Sequence, residues 1–501
     1  MRNKPIVVLP NSLASGTDRR AMGMNATSDV VIVLLLAMMS LPLALGACLR
    51  YPSLTTLVLV AILCVFSSST WGQLQEENTI YSRGTGMFYF SLLNLLLWIA
   101  ATAACVRRLH QGSSFEWQHA LNRASPFALA LAAFAFMMLA HITLGLMAGK
   151  ELLQILGYTG LINVINLLLF GWLVTQTLAD PRAQQWLLRL LLALAAVRAA
   201  FGLARYQWFG GDSANPYRNF ESLDIRLVYF DICDNYIAAL AAFILAWLLL
   251  MPQVRLSLPK RALLVLWLAL EVATVALSFR RSSLIGLALM SLVLFWQLPW
   301  RRRLWLACAG SAGLILASLT LLKERLQFST AGSGGFLSSL LYDVGPARSN
   351  EVSRFYELEA AAKSLEGHWF FGLGSWGSFY GNEEILDYHF GKFDFVHSGF
   401  GHLVLKSGLA GLVLFITLIA AFVIHYWRHR RHWQGHPALL ADAAMAGLLF
   451  WMPTLLIGTP IIEFRTMLLL GMTLALPYLC IPREQRPRSP ISPLRSLHAA
   501  A

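Results

Sequence analysis

The chain is poor in charge. Only 13% of its 501 residues are Asp, Glu, Lys or Arg, whereas 57% are hydrophobic and the mean hydropathy is +0.60. Soluble proteins carry roughly 25% charged residues, so the composition excludes a soluble protein and predicts a polytopic membrane protein. Sheet has little room in lipid, because only a helix or a closed barrel satisfies its own backbone hydrogen bonds there. We therefore expect an all-α transmembrane bundle without a soluble domain.

Cysteine pairs and acidic pairs are also lacking. The six cysteines are scattered without a CxxC pair, which excludes a disulfide framework and indicates small core residues. No Asp-x-Asp pair falls in a predicted outer loop, so we expect no requirement for a divalent metal and no cofactor. The net charge of +13 comes from basic residues in short loops and at the ends, such as Arg301 to Arg303. That pattern is a topology signal rather than a nucleic-acid-binding surface.

Apolar segments of about spanning length are abundant, because roughly 20 helical residues cross the hydrocarbon core. There are thirteen of them, at 29–48, 54–70, 86–105, 126–147, 157–177, 185–208, 233–251, 261–278, 282–299, 303–322, 398–425, 438–460 and 464–481. If the basic loops are cytoplasmic, the segments 71–85, 148–156, 209–232, 279–282 and 323–397 lie outside.

The number of predicted spans and the basic residues of the N-terminal segment lead to opposite topologies. Thirteen spans with a cytoplasmic C-terminus put residues 1–28 outside, although this segment carries four basic residues. Either 29–48 or 54–70 does not span, or the true start is Met22 or Met24. We expect about twelve spans with both ends inside. The domains are then 1–28, cytoplasmic or misannotated; 29–322, transmembrane; 323–397, a large periplasmic loop; 398–481, transmembrane; and 482–501, a disordered cytoplasmic tail.

The long polar loop has structure of its own. Its residues 350–365 predict a helix, with Leu358, Leu365 and other apolar residues on one face, and Gly367 fits just beyond its end. An aromatic and glycine-rich turn follows, containing Gly372 and Gly374. This GxG pattern is weak evidence for phosphate binding, because no strand precedes it.

Several short motifs in this order resemble the O-antigen ligase and O-antigen polymerase family. The Arg-led helix of the family is matched by Ser353-Arg354-Phe355-Tyr356, and its "P-x-x-G-x-G" turn by Gly372-Leu373-Gly374. Its "His-Asn" pair is matched by His397-Ser398 and its "Gly-Leu-x-Gly" helix start by Gly408-Leu409-Ala410-Gly411. Its "Ser-Arg" helix start is matched upstream by Arg280-Arg281. The similarity covers roughly residues 220–480. Ser398 replaces the usual Asn, Arg280 replaces the usual Ser, and His368-Trp369 stands where a Pro is common. These departures leave the subfamily, and hence the acceptor, open.

The resemblance implies transfer of a glycan from a polyprenyl (undecaprenyl) diphosphate carrier to an acceptor hydroxyl. It places the protein in the bacterial inner membrane, with its active site facing the periplasm. The leaving diphosphate gains charge, so fixed guanidinium groups suit it, while an imidazole can orient or deprotonate the hydroxyl. The catalytic candidates are therefore His397, Arg281 and Arg226. Other candidates contact the substrate: Arg354, Arg280, Arg218, Gly372 and Gly374.

Each candidate also has a structural interpretation. Arg281 could be an interfacial arginine, with Arg280 competing for its role, and Arg218 is the alternative to Arg226. Arg354 could be an ordinary ion-pair partner of Glu351 or Glu357, and His397 could cap a helix. Inside predicted spans, Arg198 and Glu271 are costly and either pair with each other or line a substrate path.

The motifs do not choose between acceptors. A lipid-linked repeat unit would make the protein a polymerase for O-antigen or exopolysaccharide, lipid A-core would make it a ligase, and a protein would make it an oligosaccharyltransferase. Membrane lipids and other polysaccharide assembly proteins are further expected partners, and nucleic acid is not. The alternative from another class is a lipid-linked glycan flippase or other transporter. Such carriers often show internal repeats, and no convincing repeat is present here.

Overall fold

The computed structural model describes residues 41–67, 91–110, 117–213, 226–251, 257–319, 354–381 and 392–480. Most of these residues are helical. In chain order the helices are α1 Leu41–Arg50, α2 Pro52–Val65, α3 Leu92–His110, α4 Trp117–Met147, α5 Leu152–Ile155, α6 Ile162–Thr177, α7 Pro181–Trp208, α8 Ile232–Leu250, α9 Leu258–Ala276, α10 Arg281–Gln297, α11 Trp300–Leu319, α12 Arg354–Ser364, α13 Gly399–His429, α14 His436–Ile457 and α15 Phe464–Leu479. Predicted segments 1–28 and 482–501, and residues 323–353 of the large loop, lie outside the described residues.

The expected helical membrane protein is confirmed. Within the described residues, six helices are long and apolar enough to cross a membrane, or seven if α1 and α2 form one span. These two helices are bent by 112° at the break between them. Three further apolar helices, α6, α10 and α15, are shorter. The count of about twelve spans stays a prediction.

The centre of the bundle is formed by α6, α8, α14 and α15, which are buried along most of their length. A helix that is apolar all round has no face for water and suits this position. Glycines let neighbouring helices approach closely, as small residues do in membrane proteins. A Cβ at Gly471 would lie 2.5 Å from the carbonyl oxygen of Leu167, and one at Gly286 would lie 2.7 Å from the ring of Phe450.

Polar contacts mark the two ends of the bundle. At one end the Arg430 side chain lies 2.6 Å from Asp442, and Arg302 donates to the carbonyl of Leu250. The other end carries the starts of α8, α10, α13 and α15 and the residues that precede them. The sequence candidates that the structure describes fall at this second end, which we call the polar end.

A small subdomain, which we call the lid, lies on the polar end. It contains α12 and an antiparallel pair of two-residue strands, β1 Phe379–Tyr380 and β2 Lys392–Phe393, with Phe379 opposite Phe393. Its core is formed by Ala361, Leu365, Phe379, Val396 and Leu405. The predicted helix is thus present from Arg354, and Gly367 follows it with a φ of +80°. The predicted apolar face is partly wrong, because Leu358 is 36% exposed while Glu357 is buried.

Candidate functional site

His397 is held by a buried carboxylate. Its Nδ1 lies 3.1 and 3.0 Å from the two side-chain oxygens of Glu357, and its backbone N–H donates to the same carboxylate over 3.0 Å. The Glu357 side chain is only 4% exposed, whereas that of His397 is 42% exposed. The next residue, Ser398, caps α13 by accepting from the amide of Gly401 at 3.1 Å. The helix start and the lid helix α12 therefore fix this ring together.

The contact decides which ring nitrogen is available. A carboxylate only accepts hydrogen bonds, so the proton of the neutral imidazole lies on Nδ1 and Nε2 carries the lone pair. Nε2 makes no hydrogen bond with any residue that the structure describes. An imidazole oriented in this way is the arrangement of a general base with its orienting acid. Sequence reasoning considered Glu357 only as an ion-pair partner of Arg354. In the structure it lies four residues before the buried Ala361, on the same face of the helix.

Two short connections bring arginines to the polar end. The segment 226–231, which leads into α8, joins the turn between α9 and α10 through a bond of 3.1 Å from the amide of Val228 to the carbonyl of Leu277. The Arg280 guanidinium donates to the carbonyl of Phe230 and lies 4.7 Å from the centre of its ring. Phe279, in the same turn, has a positive φ of 53°. A bulky residue in this region is strained, and such strain is concentrated at functional sites.

The individual arginines have different surroundings. Arg226 is exposed at the start of the tethered segment, and Arg281 is half-buried as the first residue of α10. Arg354 is the first residue of α12, and Arg218 lies outside the described residues. Arg226, Arg280 and Arg281 thus share one end of the bundle, and their roles toward a substrate stay predictions.

The residues next to His397 and the turn that contains Arg280 both contact the residues just before α15. A Cβ at Gly399 would lie 3.1 Å from both the ring of Pro460 and the carbonyl of Leu455, so the start of α13 packs on this corner. Glu463, the residue immediately before α15, interacts electrostatically with Arg280 and Asp231. Burial, and then the charge of Asp231, raise the pKa of the Glu463 carboxyl.

A buried ion network supports the floor of this region. Arg465, 1% exposed, donates to Asp231 at 2.7 Å and to Asp234 at 2.6 Å. Arg198 also lies 2.7 Å from Asp234. The expected pair of Arg198 with Glu271 is therefore wrong: Glu271 instead accepts from Trp267 at 2.9 Å. Sequence spacing could not show this, because the partners come from α7, α8 and α15. The network holds the segment 226–231 and is not exposed to a substrate.

The glycine turn has a packing function. Gly408 interrupts α13 with a φ of 65° and a ψ of −166°, and the turn at 369–373 docks into the interruption. The carbonyls of Trp369 and Phe370 accept the amides of Leu409 and Ala410 at 2.8 and 3.1 Å. A Cβ at Gly372 would lie 2.6 Å from the backbone nitrogen of Gly408. The two glycine motifs are needed for close contact between backbones, and the proposed role of Gly372 and Gly374 in substrate binding stays a prediction.

A pocket of about 460 Å³ opens beside this turn. Its polar and aromatic lining includes Lys150, Gln154, Tyr158, Trp376, Lys392 and Asp394. The buried Lys406 supports its wall by donating to the carbonyl of Gly377 at 2.5 Å. Asp394 is three residues from His397, so the Cα atoms of these two residues are at most about 10 Å apart.

Groups of three or more His, Cys, Asp or Glu side chains with the spacing of a metal site do not occur among the described residues. Independence from metal stays a prediction.

Comparison with known proteins identifies the family over part of the chain. Residues 263–416 match the family described as O-antigen ligase. This region contains Arg280, Arg281, Arg354, both glycine motifs and His397, but not Arg218 or Arg226. No match was found among curated proteins. The match gives no support to the flippase alternative.

Proposed function

The region from α9 to the middle of α13 belongs to the O-antigen ligase/polymerase family, and from this premise we propose the reaction of the whole chain. The protein transfers a glycan from a polyprenyl diphosphate to an acceptor hydroxyl at the outer face of the bacterial inner membrane. The observation that carries this proposal is the bond of the buried Glu357 carboxylate to Nδ1 of His397. It orients a half-exposed imidazole at the end of the bundle that carries Arg226, Arg280 and Arg281.

The reaction is a single displacement. Nε2 of His397 accepts the proton of the acceptor hydroxyl as its oxygen forms a bond to the anomeric carbon of the donor sugar. The bond from that carbon to the diphosphate oxygen breaks, and the electron pair leaves with the polyprenyl diphosphate. The anomeric configuration is inverted. Guanidinium groups of Arg226, Arg280 and Arg281 stabilise the charge that develops on the leaving group.

The pocket beside the turn is the site for the acceptor glycan. Aromatic rings such as Trp376 and Tyr158 offer faces on which sugar rings pack, and Gln154, Lys150 and Asp394 offer hydrogen bonds to hydroxyls. Asp394 in its wall is three residues before His397, which supports the proposal that an acceptor bound there meets the base. The finer identity of the acceptor, whether a repeat unit or lipid A-core, is decided by the deletion phenotype. A polymerase mutant leaves single repeats, and a ligase mutant leaves bare core with full-length chains on the carrier.

The test of the reaction is His397→Ala in cells that make the donor. We expect glycan transfer to be lost while lipid-linked donor accumulates on the outer leaflet, because the chemical step alone is blocked. Donor trapped on the inner leaflet would instead identify a flippase and refute the proposal. His368→Ala is the matched control, since His368 is an exposed histidine of the same lid and should keep full activity.

A further inference from the structure

Three aromatic side chains stand side by side on the surface of the lid. Trp369, Phe370 and Phe371 are 44%, 62% and 67% exposed, and the last two rings contact each other edge to face at 4.7 Å. Large apolar groups on a surface mark a contact with lipid or another molecule. The turn that carries them docks on α13, and the position of α13 in the membrane indicates what these side chains contact.

The outer surface of α13 changes character at Gly408. Residues 399–408 of this helix are buried or half-buried. Beyond them, large apolar side chains are exposed down the rest of the helix: Leu409, Val413, Ile416, Ile424 and Trp427. From Gly408 to Arg428, twenty residues at 1.5 Å rise give about 30 Å, which is the thickness of the hydrocarbon core. The basic residues at Arg428 and beyond mark the opposite boundary. Gly408 therefore lies at the boundary nearer the polar end.

The neighbouring helix α4 shows independently that the apolar surface extends at least to the height of Gly408. The Sδ of Met137 lies 3.8 Å from the Cβ position of Gly411, which fixes the relative height of the two helices. α4 continues ten residues further, and Leu144, Leu146 and Met147 at its end are still exposed. Its lipid-facing surface thus runs about 10 Å past the height of Gly408. The aromatic turn docks at Leu409 and Ala410, so it lies no higher than the edge of the apolar layer.

The backbone of the turn is suited to this depth. Irregular backbone is tolerated at membrane depth only where protein groups satisfy it. The carbonyls of Trp369 and Phe370 accept amides from α13, the amide of Gly372 donates to His368, and that of Leu373 donates to Leu405. The three aromatic side chains of the turn face outward.

We propose that Trp369, Phe370 and Phe371 are inserted into the outer leaflet, at the boundary between lipid headgroups and acyl chains. Aromatic side chains favour this layer. The turn directly follows α12, the helix that carries Glu357. The insertion therefore fixes α12 against the membrane, and with it the carboxylate that orients His397.

Depth measurement on the full-length protein tests this insertion without any need for substrate. Serine replaces the two exposed cysteines, Cys105 and Cys308, leaving buried ones. A nitroxide is then attached at Phe371→Cys, and the protein is placed in vesicles of phosphatidylethanolamine and phosphatidylglycerol. Val413→Cys is the lipid reference, at a position 59% exposed on α13, and Tyr380→Cys is the lid reference, at a position 68% exposed on β1.

The expected result is that the label at Phe371 collides with oxygen dissolved in lipid, as the label at Val413 does, and is protected from a water-soluble nickel chelate. A label at Tyr380 should show the reverse. If Phe371 behaves like Tyr380, the insertion is refuted. Protection from both reagents also refutes it, since it would mean that a second copy or a bound chain covers the turn. Phe370→Cys provides a second position should Phe371→Cys fail to fold.

Discussion

Replacement of Glu357 by Gln tests the orientation of the imidazole of His397, the proposed general base. Gln keeps the size of the side chain but removes its charge. In the wild-type protein the two carboxylate oxygens lie 3.1 and 3.0 Å from Nδ1 of His397. A hydrogen bond to a charged group contributes about 1.5–3 kcal/mol. Since 1.36 kcal/mol in the barrier is a factor of ten in rate, the loss predicts a rate lower by about 10- to 200-fold.

The assay is transfer from a lipid-linked donor in reconstituted vesicles, with kcat and KM measured separately. A positioning residue acts on the chemical step, so kcat should fall while KM for the donor stays within about twofold. Glu359→Gln is the matched control. Glu359 lies on the same helix, half-exposed, and pairs with Lys363 at 3.0 Å. A surface pair of this kind is worth about 0.5 kcal/mol or less, so the control should keep its activity.

The reasoning would be refuted by wild-type kcat in Glu357→Gln alongside an inactive His397→Ala. It would also fail if the activity fell only in proportion to the amount of folded protein, as measured by thermal unfolding in detergent. In that case the carboxylate would stabilise the lid and have no part in catalysis.

The other predictions concern the parts around this pair. Gly408→Ala should destabilise the fold and lower activity. The new Cβ would lie 2.2 Å from the carbonyl oxygen of Phe370, and a φ of 65° is unfavourable for Ala. A melting temperature equal to that of the wild type would contradict this prediction. Asp234→Asn should lower the free energy of unfolding by about 3–5 kcal/mol, because the mostly buried Arg198 loses its carboxylate and Arg465 keeps only that of Asp231; denaturant titration should show the loss. Arg280→Lys keeps the charge but loses the planar fork, so we expect weaker donor binding in the vesicle assay, and an unchanged KM and kcat would remove Arg280 from the site. Glu463 has a raised carboxyl pKa in the folded state, so its contribution to stability falls as pH rises above the unfolded value of about 4.3. Glu463→Gln should therefore flatten the pH dependence of the melting temperature in this range, and an unchanged slope would argue against the raised pKa.

Sequence reasoning was most successful where periodicity and composition carry the signal. Low charge and long apolar segments predicted a helical membrane protein, and the described residues confirm this class. The order of short motifs predicted the family, which the match over residues 263–416 confirms for that region. Where the prediction concerned a pairing, as for Arg198 with Glu271, it was wrong, because sequence position alone does not say which helices are neighbours.

The sequence by itself determined that this chain lies in a membrane, that a polar segment interrupts its helices before His397, and that glycines occur where the backbone departs from a helix. These features follow from local chemistry: apolar side chains partition into lipid, and residues without a Cβ tolerate positive φ. Only the tertiary structure decided that Glu357 reaches His397 across forty residues of chain, and that Gly372 and Gly408 fit against each other. Such contacts depend on how separate helices pack, and packing joins residues according to shape and charge rather than their separation in the sequence.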